Sequence, residues 1–409
     1  MRQLASIRGL AIIAVIVGHS AGWTMFALGW WGHDPGEGGV PSDSSWINSP
    51  AVYLLVGLQQ LSFFSVPAFL FAAGRFVGFI THGSSGGLAV STIRSWLRNL
   101  LPPYLIWMTV NATLHWLMTT LAHPGVPVDL GLTIRERTVD YYFVPLLAEF
   151  YLLSPLLARL ARRHPGWLLA ATGMLDVLFR ARYYARYMGA LGDDPFSAFL
   201  DVWGWVFVWG WASFFALGLV VALHGPRIRQ QLLSVRRPLT IVAITLSVAS
   251  VVEGRILASV SQNYWDSISW KASTYLFALV VVGILIAWDR PRGWAARTVD
   301  GLGAQSYGIY LVQAVVVQIT ARLLYYTAAS VPARELLFPV VLVVSGLGVP
   351  LLLMWLMAHS PLWLYQRQVF GGSMRARVTP VLLSASQPAS FERLLPQATA
   401  ATAATLDLT

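Results

Sequence analysis

The chain has 409 residues, of which 56% are hydrophobic and only 11% charged, whereas an ordinary soluble domain carries about a quarter charged residues. Its apolar residues fall in runs of roughly 20, the length that crosses a bilayer. The mass therefore lies in membrane helices, and no separate soluble domain is expected. Cysteine is absent, which excludes disulfides, thiolate metal sites and a cysteine nucleophile. The formal net charge is +10 and comes almost wholly from arginine, Lys271 being the one lysine. These arginines sit in short loops between apolar runs. The positive-inside rule accounts for them, and nucleic-acid binding is not needed.

In chain order the apolar periodicity predicts about ten spans: 5–31, 50–74, 101–122, 139–158, 166–180, 199–223, 239–258, 272–288, 303–327 and 336–358. The N-terminus begins basic and then turns apolar, but it lacks a strong cleavage pattern and is read as a retained first helix. Gly32 to Pro50 is a polar Gly/Pro/Ser loop without Lys or Arg. The arginines concentrate in alternate loops: Arg75, Arg94 and Arg98; Arg159, Arg162 and Arg163; Arg227, Arg229, Arg236 and Arg237; Arg290, Arg292 and Arg297. By the Lys/Arg rule both termini are cytoplasmic. The expected organisation is an all-α, polytopic transmembrane bundle over 1–360, followed by a cytoplasmic tail, 361–409, whose end is read as disordered. No repeat of fixed period is visible. The eighteen tryptophans, Trp203, Trp205, Trp209 and Trp211 among them, mostly suit interfacial belts.

Ionisable side chains at membrane depth mark function, and here they gather in the first five spans as His19, His115, Glu149 and Asp176. Arg8 and His19 are eleven residues apart, about three helical turns. They share one face of the first helix, roughly 16 Å apart along its axis. A histidine can accept a proton from a hydroxyl and return it, and an arginine can hold a phosphate or carboxylate. Spacing alone also fits a histidine that bonds a neighbouring helix and an arginine that reaches the head groups. Glu149 at mid-span requires a partner, a proton or water, and His19 and Arg75 are candidates to supply it. For His115 and Asp176 packing roles are expected. No His/Asp/Glu spacing suits a metal.

The segment SIRGLAIIAVIVGHS (6–20), an arginine, ten residues and a histidine, resembles the opening of the acyltransferase-3 family of membrane acyltransferases. Further segments resemble later motifs of that family in the same order: VPAFLFAAGRF (66–76), IRSWLRNLLPPYLIW (93–107), YYFVPLLAEFYLLSPLL (141–157) and SYGIYLVQ (306–313). The resemblance runs over roughly 3–360. It implies O-acylation of a hydroxyl compound, often with acetyl-CoA as cytoplasmic donor. Carried over by position, His19 is the general base and Arg8 the motif arginine; Glu149, from its depth rather than from a motif, is a candidate to orient the base. Arg94 and Arg98, together with Arg75, are expected to meet the phosphates of acyl-CoA. Tyr151, Tyr307, Tyr310 and Gln313 are expected to contact substrate. Ala73 stands where many members have serine and Gln313 where many have histidine, which leaves substrate class and the role of the ninth span open.

The expectation is thus a multi-pass protein of the cell membrane that transfers an acyl group, most simply acetyl, from acyl-CoA to a glycan, glycolipid or small natural product. The rival reading is a transporter or flippase for a glycan or lipid, for which discontinuous helices in paired halves would be the sign.

Overall fold

The computed structural model describes residues 2–32, 50–82, 88–122, 128–191, 195, 199–200, 210–261, 270–288, 293–327 and 334–372. These residues are all-helical. In chain order the helices are α1 (Arg2–Gly32), α2 (Pro50–Ser62), α3 (Ser65–His82), α4 (Val90–Ala122), α5 (Leu130–Asp140), α6 (Phe143–Arg163) and α7 (Pro165–Tyr187). Then follow α8 (Ala212–Ser234), α9 (Arg236–Ser261), α10 (Ala272–Ala287), α11 (Trp294–Thr327) and α12 (Arg334–His359). A 3₁₀ turn (Pro361–Tyr365) leads into the short α13 (Gln366–Phe370). Among the described residues six stretches are long and apolar enough to cross a membrane: Gln3–Ala27, Pro50–His82, Phe143–Arg163, Arg236–Leu257, Trp294–Tyr325 and Leu337–His359. Ala272–Ala287 is apolar but shorter.

Helices in a bilayer gain little from burying apolar surface against one another, since lipid is as apolar as leucine, so close backbone approach and interhelical hydrogen bonds hold them together. Two seams show this. A Cβ added to Gly303 on α11 would lie 1.8 Å from the carbonyl oxygen of Ala5, and one added to Gly9 on α1 would lie 2.0 Å from that of Val299. Only glycine lets α1 and α11 come this close. The two helices then run parallel in constant register, because Ser6–Asp300 and His19–Gln313 are both hydrogen-bonded at a separation of 294 residues. The second seam joins α3 to α8, where a Cβ on Gly74 would meet Phe215 O at 2.1 Å and one on Gly218 would meet Phe71 O at 2.2 Å. Phe150 of α6 stacks on Phe215 behind it, with centroids 4.7 Å apart.

Several predicted boundaries shift. The span expected at 50–74 is two helices separated at Phe63–Phe64, and the second runs on to His82. Pro67 sits in the first turn of α3, where its missing N–H breaks no helical bond. α4 begins at Val90 rather than at 101 and carries Pro102 and Pro103 inside it, so the prolines mark an interruption in its bonding and not its start. Of the span placed at 199–223, residues 199–200 are helical, 201–209 lie outside the described residues, and α8 runs from Ala212 on to Ser234. Residues 32–49, in large part, and Trp203, Trp205 and Trp209 lie outside the described residues. So does 373–409, whereas residues 361–372, expected to begin a tail, are structured and pack on the bundle.

A cavity below an aromatic collar

The constant register of α1 and α11 fixes two polar pairs at different heights. Lower down, Arg8 donates from Nε and Nη2 to Ser306 Oγ, at 3.2 and 3.0 Å. Higher up, His19 Nδ1 meets the side-chain amide of Gln313, 3.1 Å from Oε1 and 3.0 Å from Nε2. Among the described residues no carboxylate pairs with Arg8. Its remaining N–H groups are therefore available to a ligand, and Tyr151 lies close enough to interact with it electrostatically. His19 is solvent-accessible although protein atoms surround it.

Arg8 and Ser306 belong to the wall of a cavity of about 540 Å³, within the range of small-molecule sites. Four helices contribute regular stripes to it. α3 supplies Phe69, Ala72, Ala73 and Phe76; α4 supplies Trp96, Asn99 and Leu100; α6 supplies Phe143, Leu147 and Tyr151; α11 supplies Ala304, Ser306, Tyr307 and Tyr310. Each stripe has the three-to-four-residue spacing of one helix face. Leu4 and Ala5 of α1 and Gly371 complete the wall. Tyr307 donates its hydroxyl to Leu100 O at 2.5 Å and so ties α11 to α4.

At the upper end the rings close in. Tyr310 lies edge-on to Phe143, with centroids 5.6 Å apart, and to Tyr141, at 6.2 Å. Tyr141 in turn donates to Leu311 O at 3.0 Å. Gln313 is three residues beyond Tyr310, about 4.5 Å along the helix. The His19–Gln313 pair is therefore about one turn past this collar, and neither residue lines the cavity.

The structure thus brings Arg8, Tyr151, Tyr307 and Tyr310 into one cavity and sets His19 with Gln313 just above it. Gln313, expected to touch substrate, is the hydrogen-bond partner of His19 and is not part of the cavity lining. Glu149 is half-buried outside the lining; two residues before Tyr151 places it about 200° around α6, away from the cavity. Arg94 and Arg98 are exposed on α4, close in sequence to the lining residues Trp96 and Asn99. They are helical, not in a loop, because α4 starts before them. Arg75 is mid-helix and donates to Gln3 Oε1 at 2.9 Å, with its guanidinium 5.4 Å from the centre of the Phe79 ring.

The other expected polar residues lie elsewhere. Asp176 accepts from Ala212 N at 3.0 Å, from Ser213 N at 3.2 Å and from the Ser213 hydroxyl, which caps the first turn of α8. Arg180 lies one turn on, with its guanidinium 4.0 Å from the centre of the Tyr275 ring. His115 is half-buried on α4, outside the cavity. Sequence reasoning missed Ser306, Trp96, Asn99 and Gly371. Ser306 had a visible signal, since it opens the SYGIYLVQ motif.

A family model described as "Acyltransferase domain" matches residues 2–359. Among curated proteins and among solved structures nothing matches the chain.

Proposed function

The chain belongs to the acyltransferase-3 family, and from that premise we propose that it is an O-acyltransferase that carries an acyl group, most simply acetyl, from acyl-CoA to a hydroxyl. The observation that carries this reading is the stacking of two polar stations. A cavity holding Arg8 without a carboxylate leads up to an aromatic collar, and a solvent-accessible histidine sits one turn beyond it.

In this reading the protein crosses the cell membrane about ten times with both termini in the cytoplasm. The donor enters past Arg94 and Arg98, whose charges suit the phosphates of CoA. Arg75 adds positive charge on the α1–α3 side. The slim arm of the donor lies in the cavity, where Arg8 holds a phosphate or carbonyl oxygen through the N–H groups that Ser306 leaves unused. Tyr151, Tyr307 and Tyr310 line its path, and the thioester passes the collar to reach His19.

In this reading Nδ1–H is donated to Gln313 Oε1, so the lone pair of His19 is on Nε2 and the amide holds the ring plane. Nε2 accepts the proton of the acceptor hydroxyl as its oxygen attacks the thioester carbonyl. The C–S bond breaks, and the departing sulfur takes the proton back from the imidazolium. An ester and free CoA result, with no acyl-enzyme required. The acceptor is a hydroxyl of a glycan, glycolipid or small natural product.

The test is direct. Purified protein in nanodiscs is given radiolabelled acetyl-CoA and a panel of hydroxyl acceptors, and label transfer and thiol release are followed. Acceptor-dependent release of CoA supports the reading. No thioester consumption with any acceptor would favour transport instead.

A further inference from the structure

The family match ends at residue 359, yet the cavity wall includes Gly371. Between them the chain turns back into the bundle. Ser360 accepts from Leu362 N at 3.1 Å and starts the 3₁₀ turn. Gln366 then donates to Met354 O at 2.8 Å, and Trp107 of α4 donates to Val369 O at 2.9 Å. Phe370 is buried, with its ring 6.1 Å from that of Trp107. Its Cβ would be 3.1 Å from a Cβ on Gly308. Residues 366–371 therefore wedge between α4, α11 and α12.

Gly371 ends this wedge at φ 71°, the left-handed region that favours glycine. It lies against the Cδ1–Cε1 side of the Tyr307 ring: a Cβ there would be 2.3 Å from Cδ1 and 2.5 Å from Cε1. The ring is held at its tip, because the Tyr307 hydroxyl is bonded to Leu100 O. The next residue contrasts with it. Gly372 is exposed, and a Cβ there would meet nothing within 4 Å.

We propose that the segment Gln366–Gly371 is a wall of the donor site and that Gly371, by admitting the Tyr307 ring, sets the width of the cavity beside Asn99 through which the donor's arm passes. Donor affinity then depends on a stretch of this chain outside the matched residues. The inference rests on the reading of the cavity as the acyl-CoA site. Its chemistry is that of a slim, flexible thioester arm held between an aromatic ring and backbone.

The absence of cysteine allows a test that needs no acceptor. In full-length protein carrying Ala73→Cys, a lining position, the rate of labelling by N-ethylmaleimide is measured with and without acetyl-CoA. Gly371→Ala is expected to change the unliganded rate at least threefold and to weaken protection by acetyl-CoA at least tenfold, because the pinned ring must swing into the cavity. Gly372→Ala is expected to leave both unchanged. Adding Tyr307→Leu to Gly371→Ala removes the overlap and is expected to bring protection back to within threefold of Tyr307→Leu alone, a rescue that misfolding would not give. Wild-type behaviour in Gly371→Ala, equal losses in Gly372→Ala, or no rescue would overturn the proposal. A changed labelling rate in Gly371→Ala together with no acetyl-CoA protection even in the parent would instead remove the donor reading and leave the wall standing.

Discussion

Gly303→Ala puts the α1–α11 seam to a quantitative test. The new methyl group would sit 1.8 Å from Ala5 O, 2.7 Å from Ala5 C and 2.8 Å from Gly9 N, all of them backbone atoms that cannot rotate away. Ordinary contact begins near 3.5 Å, so α1 must retreat by roughly 1.5 Å or more at this level. The Arg8–Ser306 bonds, now 3.0 and 3.2 Å, then stretch beyond about 3.5 Å, where a hydrogen bond is lost. His19 and Gln313 lie further along the same seam and shift with it. Overpacking of this kind costs about 1–3 kcal/mol, and displacing reacting groups by 1 Å costs about 10²-fold in rate. Acyl transfer in Gly303→Ala is expected to fall at least 10²-fold, with the melting temperature lowered by a few degrees. Gly173→Ala, where a Cβ meets nothing within 4 Å, serves as the control and is expected to behave as wild type. A Gly303→Ala protein with wild-type turnover would refute the claim that this seam positions the two polar stations.

Three further outcomes are expected. Arg8→Gln weakens acetyl-CoA protection of the Ala73→Cys reporter about tenfold or more, since it removes a guanidinium that no carboxylate among the described residues pairs with, and transfer rate at saturating donor falls less. Gln313→Leu leaves the His19 Nδ1 without its partner, a loss of about 1–3 kcal/mol. Turnover drops roughly 10–100-fold while donor protection is kept, and Gln313→His, which again offers a polar partner to the His19 ring, restores most of it. Asp176→Ala removes three hydrogen bonds at the start of α8; it lowers unfolding stability by about 2–3 kcal/mol, seen as a lower melting temperature, with turnover of the remaining folded protein near wild type.

The helical, membrane-embedded character and the shared face of Arg8 and His19 were legible because both depend on local periodicity. The partner of His19 was visible only as a polar residue, Gln313, in an otherwise apolar motif, and its contact with α1 needed the register of two helices nearly 300 residues apart. Gly9 and Gly303 read as ordinary small residues in apolar helices; their close approach is a property of the pair. Pro102 and Pro103 look like a helix start and so place Arg94 and Arg98 in a loop by sequence, yet a helix buried in a bundle tolerates internal prolines. The return of residues 366–371 to the cavity was not legible, since six residues are too few to show a period. The side chain that meets His19 Nδ1 is Gln313 rather than the expected Glu149: Phe143, Leu147 and Tyr151 form the cavity stripe of α6, and Glu149 lies off it.

The measurement that bears most directly on the account is acyl transfer by His19→Gln, made in the Ala73→Cys background so that donor binding is read on the same protein. The account predicts that acetyl-CoA protects the reporter thiol as in the parent, while acceptor-dependent CoA release falls by about 10²–10⁴-fold, the contribution of a positioned general base. Turnover at the parent rate with His19 replaced would contradict it.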